Sequence, residues 1–452
     1  LGNPEKPERT KERMNKVLLS LTFLVTFTPL VACAQEEFVD AYNQGREALS
    51  QNRVDEAIEF FNRALQVDPQ DHLSYNNRGV AYKRKGLYDS AIEDFNRALE
   101  IKPDYTLPLV NRGIARHKKG DLDGAYQDLT LAIKKSKKEG VAYTALGMVE
   151  KDKGDLDQAI KTLRQAIALN KKNIPAYQTL GQIYEKQGNL EKAIDEYTKV
   201  IDLVKAPGNA PEVAARITDL RGMLADNFYK EGLQNYRQGN EKQALHFWTQ
   251  ALRVDPGHMQ SLRDRGLTYY KSGKYQKALE DFEAALARDP GNAEIYRVRG
   301  DANLRMKHPE KALADYTKSL ELNPNDAVAY NNRGLVYHEL NELDKALDEY
   351  TKALNINPEM AIFYENRAII FLRKGLNHKA AEDYQQAVKL TTDEARRSEL
   401  LEKLSVISPE TSMDSSKPTR EIPELSGPGF SLPTEDKESP VRTTTAGPGW
   451  NR

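Results

Sequence analysis

Among the side chains able to bind a metal or move a proton, the chain carries seven histidines (His72, His117, His246, His258, His308, His338 and His378) and one cysteine, Cys33. A metal site needs ligands at short fixed spacings, and no two histidines stand in one. A single cysteine makes neither an internal disulfide nor a thiolate cage. No nucleophile motif and no phosphate-cradling glycine loop is present, so neither a metal, a cofactor nor intrinsic catalysis is expected. What recurs is the side-chain amide: Asn43, Asn77 and Asn111 stand at equal intervals, and Asn332 and Asn366 resume the series. Amides in register donate to and accept from an extended peptide backbone without demanding one sequence.

That interval belongs to the whole chain. Gly45, Gly79, Gly113, Gly147 and Gly181 lie 34 residues apart, and Gly232, Gly266, Gly300 and Gly334 repeat the spacing, with Ala368 in the next slot. Twelve residues after each marker stands an alanine, from Ala57 to Ala380, and four further on a large residue such as Phe61, Phe95, Trp248 or Tyr384. A period of this length implies stacked supersecondary units that bury their apolar faces on one another. The apolar spacing within each repeat is helical. Lys85-Gly86-Leu87-Tyr88-Asp89 reads as a turn between two antiparallel helices, and Pro103 as a stop before the next repeat. The small marker lets the helices approach closely, and Phe95 fills the space beside that contact.

This marker pattern resembles the tetratricopeptide repeat (TPR) family over residues 38–394. The resemblance implies an all-α, right-handed superhelical α-solenoid whose first helices line a concave, ligand-binding face. Ten repeats are predicted: five over 38–207 and five over 225–394. The breaker cluster Ala206-Pro207-Gly208-Asn209-Ala210-Pro211 interrupts the comb, and Ile217, Leu220, Leu224 and Phe228 predict a long helix over 211–238, so 208–224 forms a seam with hinge potential. Thr391 to Glu394 reads as a capping box, and Leu400, Leu401, Leu404 and Ile407 as the apolar face of a covering helix over 395–407. Residues 408–452 are rich in Pro, Ser, Thr and Gly, a composition that favours disorder.

On the first helices, Tyr42, Leu73, Leu107, Val110 and Ile114 join Asn43, Asn77 and Asn111 as an apolar, amide-bearing candidate site for a peptide, with a second at Asn332 and Asn366. Repeats six to eight carry Asp226, Lys230, Arg263, Asp264, Lys271, Glu294, Arg297 and Asp301 there, a solvated or electrostatically read surface. The family's chaperone-tail clamp needs Lys and Asn where this chain has Tyr42 and Arg46, and is not expected. Arg78, Arg112, Arg265, Arg299, Arg333 and Arg367 directly precede the marker position and read as interhelical bridges. Pairs such as Glu93-Asp94 and Asp348-Glu349 read as solvated faces, and Lys134 to Lys138 as cations favoured at a helix carboxyl end.

The start of the chain carries a separate signal. Met14-Asn15-Lys16, an apolar run to Pro29 and the exit Leu30-Val31-Ala32-Cys33 describe a secretory signal over 14–32, too short for a spanning helix. The exit resembles the bacterial lipobox, which implies that Cys33 is lipidated, that 33–37 is an anchor linker, and that the protein faces the periplasm from the outer membrane. Cleavage after Ala34 is the alternative and gives a soluble periplasmic or secreted protein. Residues 1–13 read as a start-site artefact. With 66 Lys+Arg against 67 Asp+Glu, no basic field draws nucleic acid. The expected function is a cell-envelope scaffold binding proteins or peptides. Self-association and service as an accessory subunit of an envelope enzyme are the alternatives.

Overall fold

The computed structural model describes residues 34–407, and no strand occurs among the described residues. The readings made for 1–33, Cys33 included, and for 408–452 lie outside them. Contacts divide the chain into two units, with the boundary between Arg221 and Gly222.

In the first unit the helices pair in sequence: α1 (34–50) with α2 (Val54–Val67), α3 (His72–Lys85) with α4 (Tyr88–Ile101), α5 (Thr106–Lys119) with α6 (Leu122–Lys135), α7 (Gly140–Lys153) with α8 (Leu156–Leu169), and α9 (Ile174–Lys186) with α10 (Leu190–Val204). The second repeat shows why. Asp71 caps α3 by accepting from the backbone N–H of Ser74 at 2.6 Å, satisfying a donor that the helix itself leaves open. Gly86 ends α3 at φ +83°, a left-handed conformation costly for a residue with a Cβ. Inside the pair, a Cβ built on Gly79 would lie 2.7 Å from Phe95 Cε1. The marker glycine is the space the ring occupies, and Ala91, Phe95 and Ala98 are fully buried there.

A single helix, α11 (Pro211–Arg237), stands where the spacing predicts a long one. Its Val213, Ile217 and Leu220 close the core of the fifth repeat against Leu180, Ile183 and Val200. The second unit continues with α12 (Glu241–Val254), α13 (Met259–Lys271), α14 (Tyr275–Arg288), α15 (Ala293–Arg305), α16 (Pro309–Leu322), α17 (Ala327–Glu339), α18 (Leu343–Ile356), α19 (Ala361–Arg373), α20 (Asn377–Leu390) and α21 (Glu394–Ile407).

The terminal helix departs from expectation in two ways. Its cap is Asp393, which accepts from Arg396 N at 2.7 Å, because the Thr391 hydroxyl is spent on Ala387 O of α20 at 2.7 Å. Leu400 is buried and Leu404 and Ile407 pack beside it, whereas Leu401 is exposed. Arg396 and Lys403 instead fasten α21 to Glu365 of α19.

Candidate functional site

The amides form a rail between repeats. Asn77 Nδ2 donates to Tyr42 Oη at 3.2 Å, Asn76 Nδ2 to Asn77 Oδ1 at 3.2 Å, and Asn111 Nδ2 to Asn76 Oδ1 at 3.2 Å. In the second unit Asn332 donates to Asp301 at 2.8 Å, Asn331 to Asn332 at 3.0 Å, and Asn366 to Asn331 at 2.8 Å. The first Asn of each Asn-Asn pair thus accepts from the Asn two places before the next repeat's marker position. Asn111, Asn332 and Asn366 are buried, as is Val110 at 1% exposure. These four correct the expected site: their side chains face neighbouring helices and hold the stack together. The second site at Asn332 and Asn366 goes with them. Asn43 is exposed and Asn77 half-buried, each with amide capacity to spare.

The same helices leave a different row open. Val39, Leu73, Leu107 and Val141 recur six residues before their markers, and Val39, Leu107 and Val141 are 45%, 43% and 57% exposed. Seven residues further along each helix, hence on the same side, stand Arg46, Val80, Ile114 and Met148. Leu73, Tyr42 and Ile114 are half-buried beside this row. Isolated exposed leucines are ordinary; here an apolar residue recurs in four successive repeats, with Arg46 the one charged side chain of the second row. Next to it Lys83 donates to Asn111 Oδ1 at 2.8 Å, and burial, with Arg84 adding to it, pushes its ammonium down to about 8. Lys83 escaped the sequence reading because a lone lysine on a charged helix end carries no distinguishing pattern.

The marker-adjacent arginines are the interhelical bridges expected. Arg78 grips Asp94 with Nε and Nη2 at 2.8 and 2.7 Å and reaches back to Asn62 Oδ1 of the preceding repeat at 2.7 Å. Arg112, Arg265, Arg299 and Arg367 hold Asp128, Asp281, Asp315 and Asp383 likewise, and Arg333 holds Glu349. Burial works against the Arg78 charge, but Asp94 more than restores it and holds the guanidinium above its ordinary value. Asp94 and Glu349 are 4% exposed, so the acidic pairs are not solvated faces. Consecutive helical residues point about 100° apart, and one member of each pair turns inward.

The charged residues expected as a surface on repeats six to eight divide: Asp226, Lys230, Lys271 and Glu294 are exposed, Arg263, Asp264 and Arg297 are half-buried, and Asp301 is internal. Asp301 is buried and accepts from Tyr316 Oη at 2.6 Å, while Asp264 accepts from Tyr229 Oη at 2.9 Å and Arg263 Nε at 2.8 Å. His258, also buried, lies 3.1 Å from Asp226 Oδ1 and 2.9 Å from Ser261 Oγ. Those three side chains mimic the order of a catalytic triad. Here Ser261 is fully buried and its backbone N–H also donates to His258 Nδ1 at 3.3 Å, so the imidazole is the amino-terminal cap of α13. Among the described residues no group of three His, Cys, Asp or Glu is placed to hold a metal ion.

Tetratricopeptide repeat models match residues 42–106, 174–204, 236–303 and 327–360, and TPR repeat models match 147–188 and 310–341. Together they span more than half of the chain. It belongs to the tetratricopeptide repeat family. As a TPR protein it is an interaction scaffold, built to bind other proteins or peptides. Similar solved structures include MamA from Desulfovibrio magneticus RS-1, 24% identical over 37% of this chain and 94% of that one, with a TM-score of 0.35. A thermophilic TPR protein from Thermus thermophilus is 25% identical over 40% of this chain and 98% of that one, TM-score 0.34. Yeast Tom70 is 15% identical over 84% and 98%, TM-score 0.37.

Proposed function

We propose that the first-helix face of repeats one to four holds an extended segment of a partner protein. Apolar side chains of that segment seat along Val39, Leu73, Leu107 and Val141, and Lys83 meets an acidic group beside them. The observation that carries this reading is the once-per-repeat apolar row of the first four repeats, exposed at Val39, Leu107 and Val141 and half-buried at Leu73. The backbone of the segment finds Asn43 and the spare capacity of Asn77. Leu107→Asp combined with Val141→Asp should abolish selection of apolar-acidic peptides from a displayed library with helicity unchanged. Asn111→Ala should instead lower the unfolding midpoint and leave selection intact. Selection that survives the aspartates, or is lost only with Asn111→Ala, refutes the placement.

The scaffold works at the cell envelope, anchored through a lipidated Cys33; the reading rests on the sequence over 14–33. No helix among the described residues is long and apolar enough to cross a membrane, so the lipid would be the membrane contact. Fatty-acid labelling should mark the wild type and not Cys33→Ala, and equal labelling of both rejects the anchor in favour of a soluble protein. Self-association is favoured by one observation, the exposed Leu401 and Val406 on α21. Light scattering of Leu401→Asp with Val406→Asp tests it, since oligomers of unchanged size exclude that face.

A further inference from the structure

Six repeats bury an acid on their second helix and meet it with the arginine before the marker position. The fourth repeat has neither partner, because Leu146 stands in the arginine slot and Thr162 in the acid slot. It nevertheless buries a carboxylate. Glu150, one turn beyond Leu146 on α7, fills the place taken elsewhere by Tyr82, Tyr184, Tyr269 and Tyr337, and it is 1% exposed. Glu150 Oε2 is buried without a hydrogen-bond partner. Burial raises this carboxyl above its ordinary value; Thr162 and Gln158 restrain the rise and Asp155 adds to it. The nearest marker-adjacent cation in sequence, Arg112, is held by Asp128, as is Arg116 at 2.8 Å.

A pocket of about 480 Å³ opens beside Glu150, lined also by Tyr126, Asp155, Asp157, Gln158 and Lys161. Three carboxylates and the Lys161 ammonium line it. Tyr126 is 38% exposed and has Lys153 Nζ, which also pairs with Asp123, 5.6 Å from its ring centroid, so a cation already meets this ring. We infer that this pocket accepts the guanidinium of an arginine side chain carried by a partner protein, supplying from outside the ion pair that six other repeats make within the chain. A guanidinium suits such a site better than an ammonium, because it is planar, weakly hydrated, forks onto a carboxylate and stacks on an aromatic ring. The inference is independent of the apolar row, which lies on the first helices and not at this turn.

The test uses the full chain with labelled glutamate, the Glu150 carboxyl signal assigned by Glu150→Gln, and N-acetylarginine amide as probe. Saturable binding is expected, with the Glu150 titration midpoint falling as the probe saturates. The lysine and citrulline analogues should bind about tenfold more weakly or worse, Glu150→Gln should abolish binding at unchanged helicity, and Tyr126→Ala should weaken it. Absence of saturable binding, equal binding of the citrulline or lysine analogue, or undiminished binding to Glu150→Gln each overturns the inference.

Discussion

Lys83 carries a charge that the folded chain holds reluctantly, its ammonium lowered from 10.5 to about 8 by burial. Between those values the unfolded chain keeps a proton that the folded chain has lost, so stability rises with pH across that window and the full cost is present below it. Lys83→Met should therefore be more stable than wild type at neutral pH, by about 2 kcal/mol once partial exposure is allowed for. Urea unfolding at several pH values should show that advantage shrink through the window and disappear above it; a constant difference would contradict the assignment. Asp94→Ala strands a half-buried guanidinium and should cost about 3 kcal/mol, most of it recovered in Asp94→Ala with Arg78→Met. The arginine bridges were legible because acid and base recur sixteen residues apart in six repeats. The amides misled because a period places residues in one row without saying whether the row faces solvent or the next helix. Glu150 had a readable signal: the one acid in a slot that four other repeats give to tyrosine.

At the scale of elements, the marker glycine and the large residue sixteen positions on are one packing unit. Gly79→Ala forces Phe95 out of its rotamer or its helix aside and should lower stability by about 2 kcal/mol in thermal unfolding. The same reasoning gives the helix pairs and α11 from sequence, since both follow from apolar spacing and breakers. Helix α21 shows where it fails. A Thr and a Glu at capping-box spacing preceded it, but the Thr391 hydroxyl had a carbonyl closer at hand in α20. Asp393→Ala should accordingly destabilise α21 by about 1 kcal/mol, read as faster amide exchange over 394–407, and Thr391→Ala should leave that exchange nearly unchanged.

For the whole molecule, stacking makes each repeat depend on its neighbours, and polar ties run the same way. Arg78 to Asn62, Asn111 to Asn76 and Asn366 to Asn331 each join one repeat to the one before. Asn111, Asn332 and Asn366, which first looked like ligand contacts, therefore hold the stack, and the site proposed is the apolar row beside Asn43 and Asn77. Leu107 on α5 and Leu131 on α6 are both 43% exposed, so exposure alone does not distinguish them; only Leu107 belongs to the row. A photo-crosslinking residue placed at Leu107 or at Leu131 separates a first-helix site from general apolar stickiness. The account predicts that bound peptide or partner protein crosslinks from position 107 and not from 131, and equal crosslinking from both would contradict it.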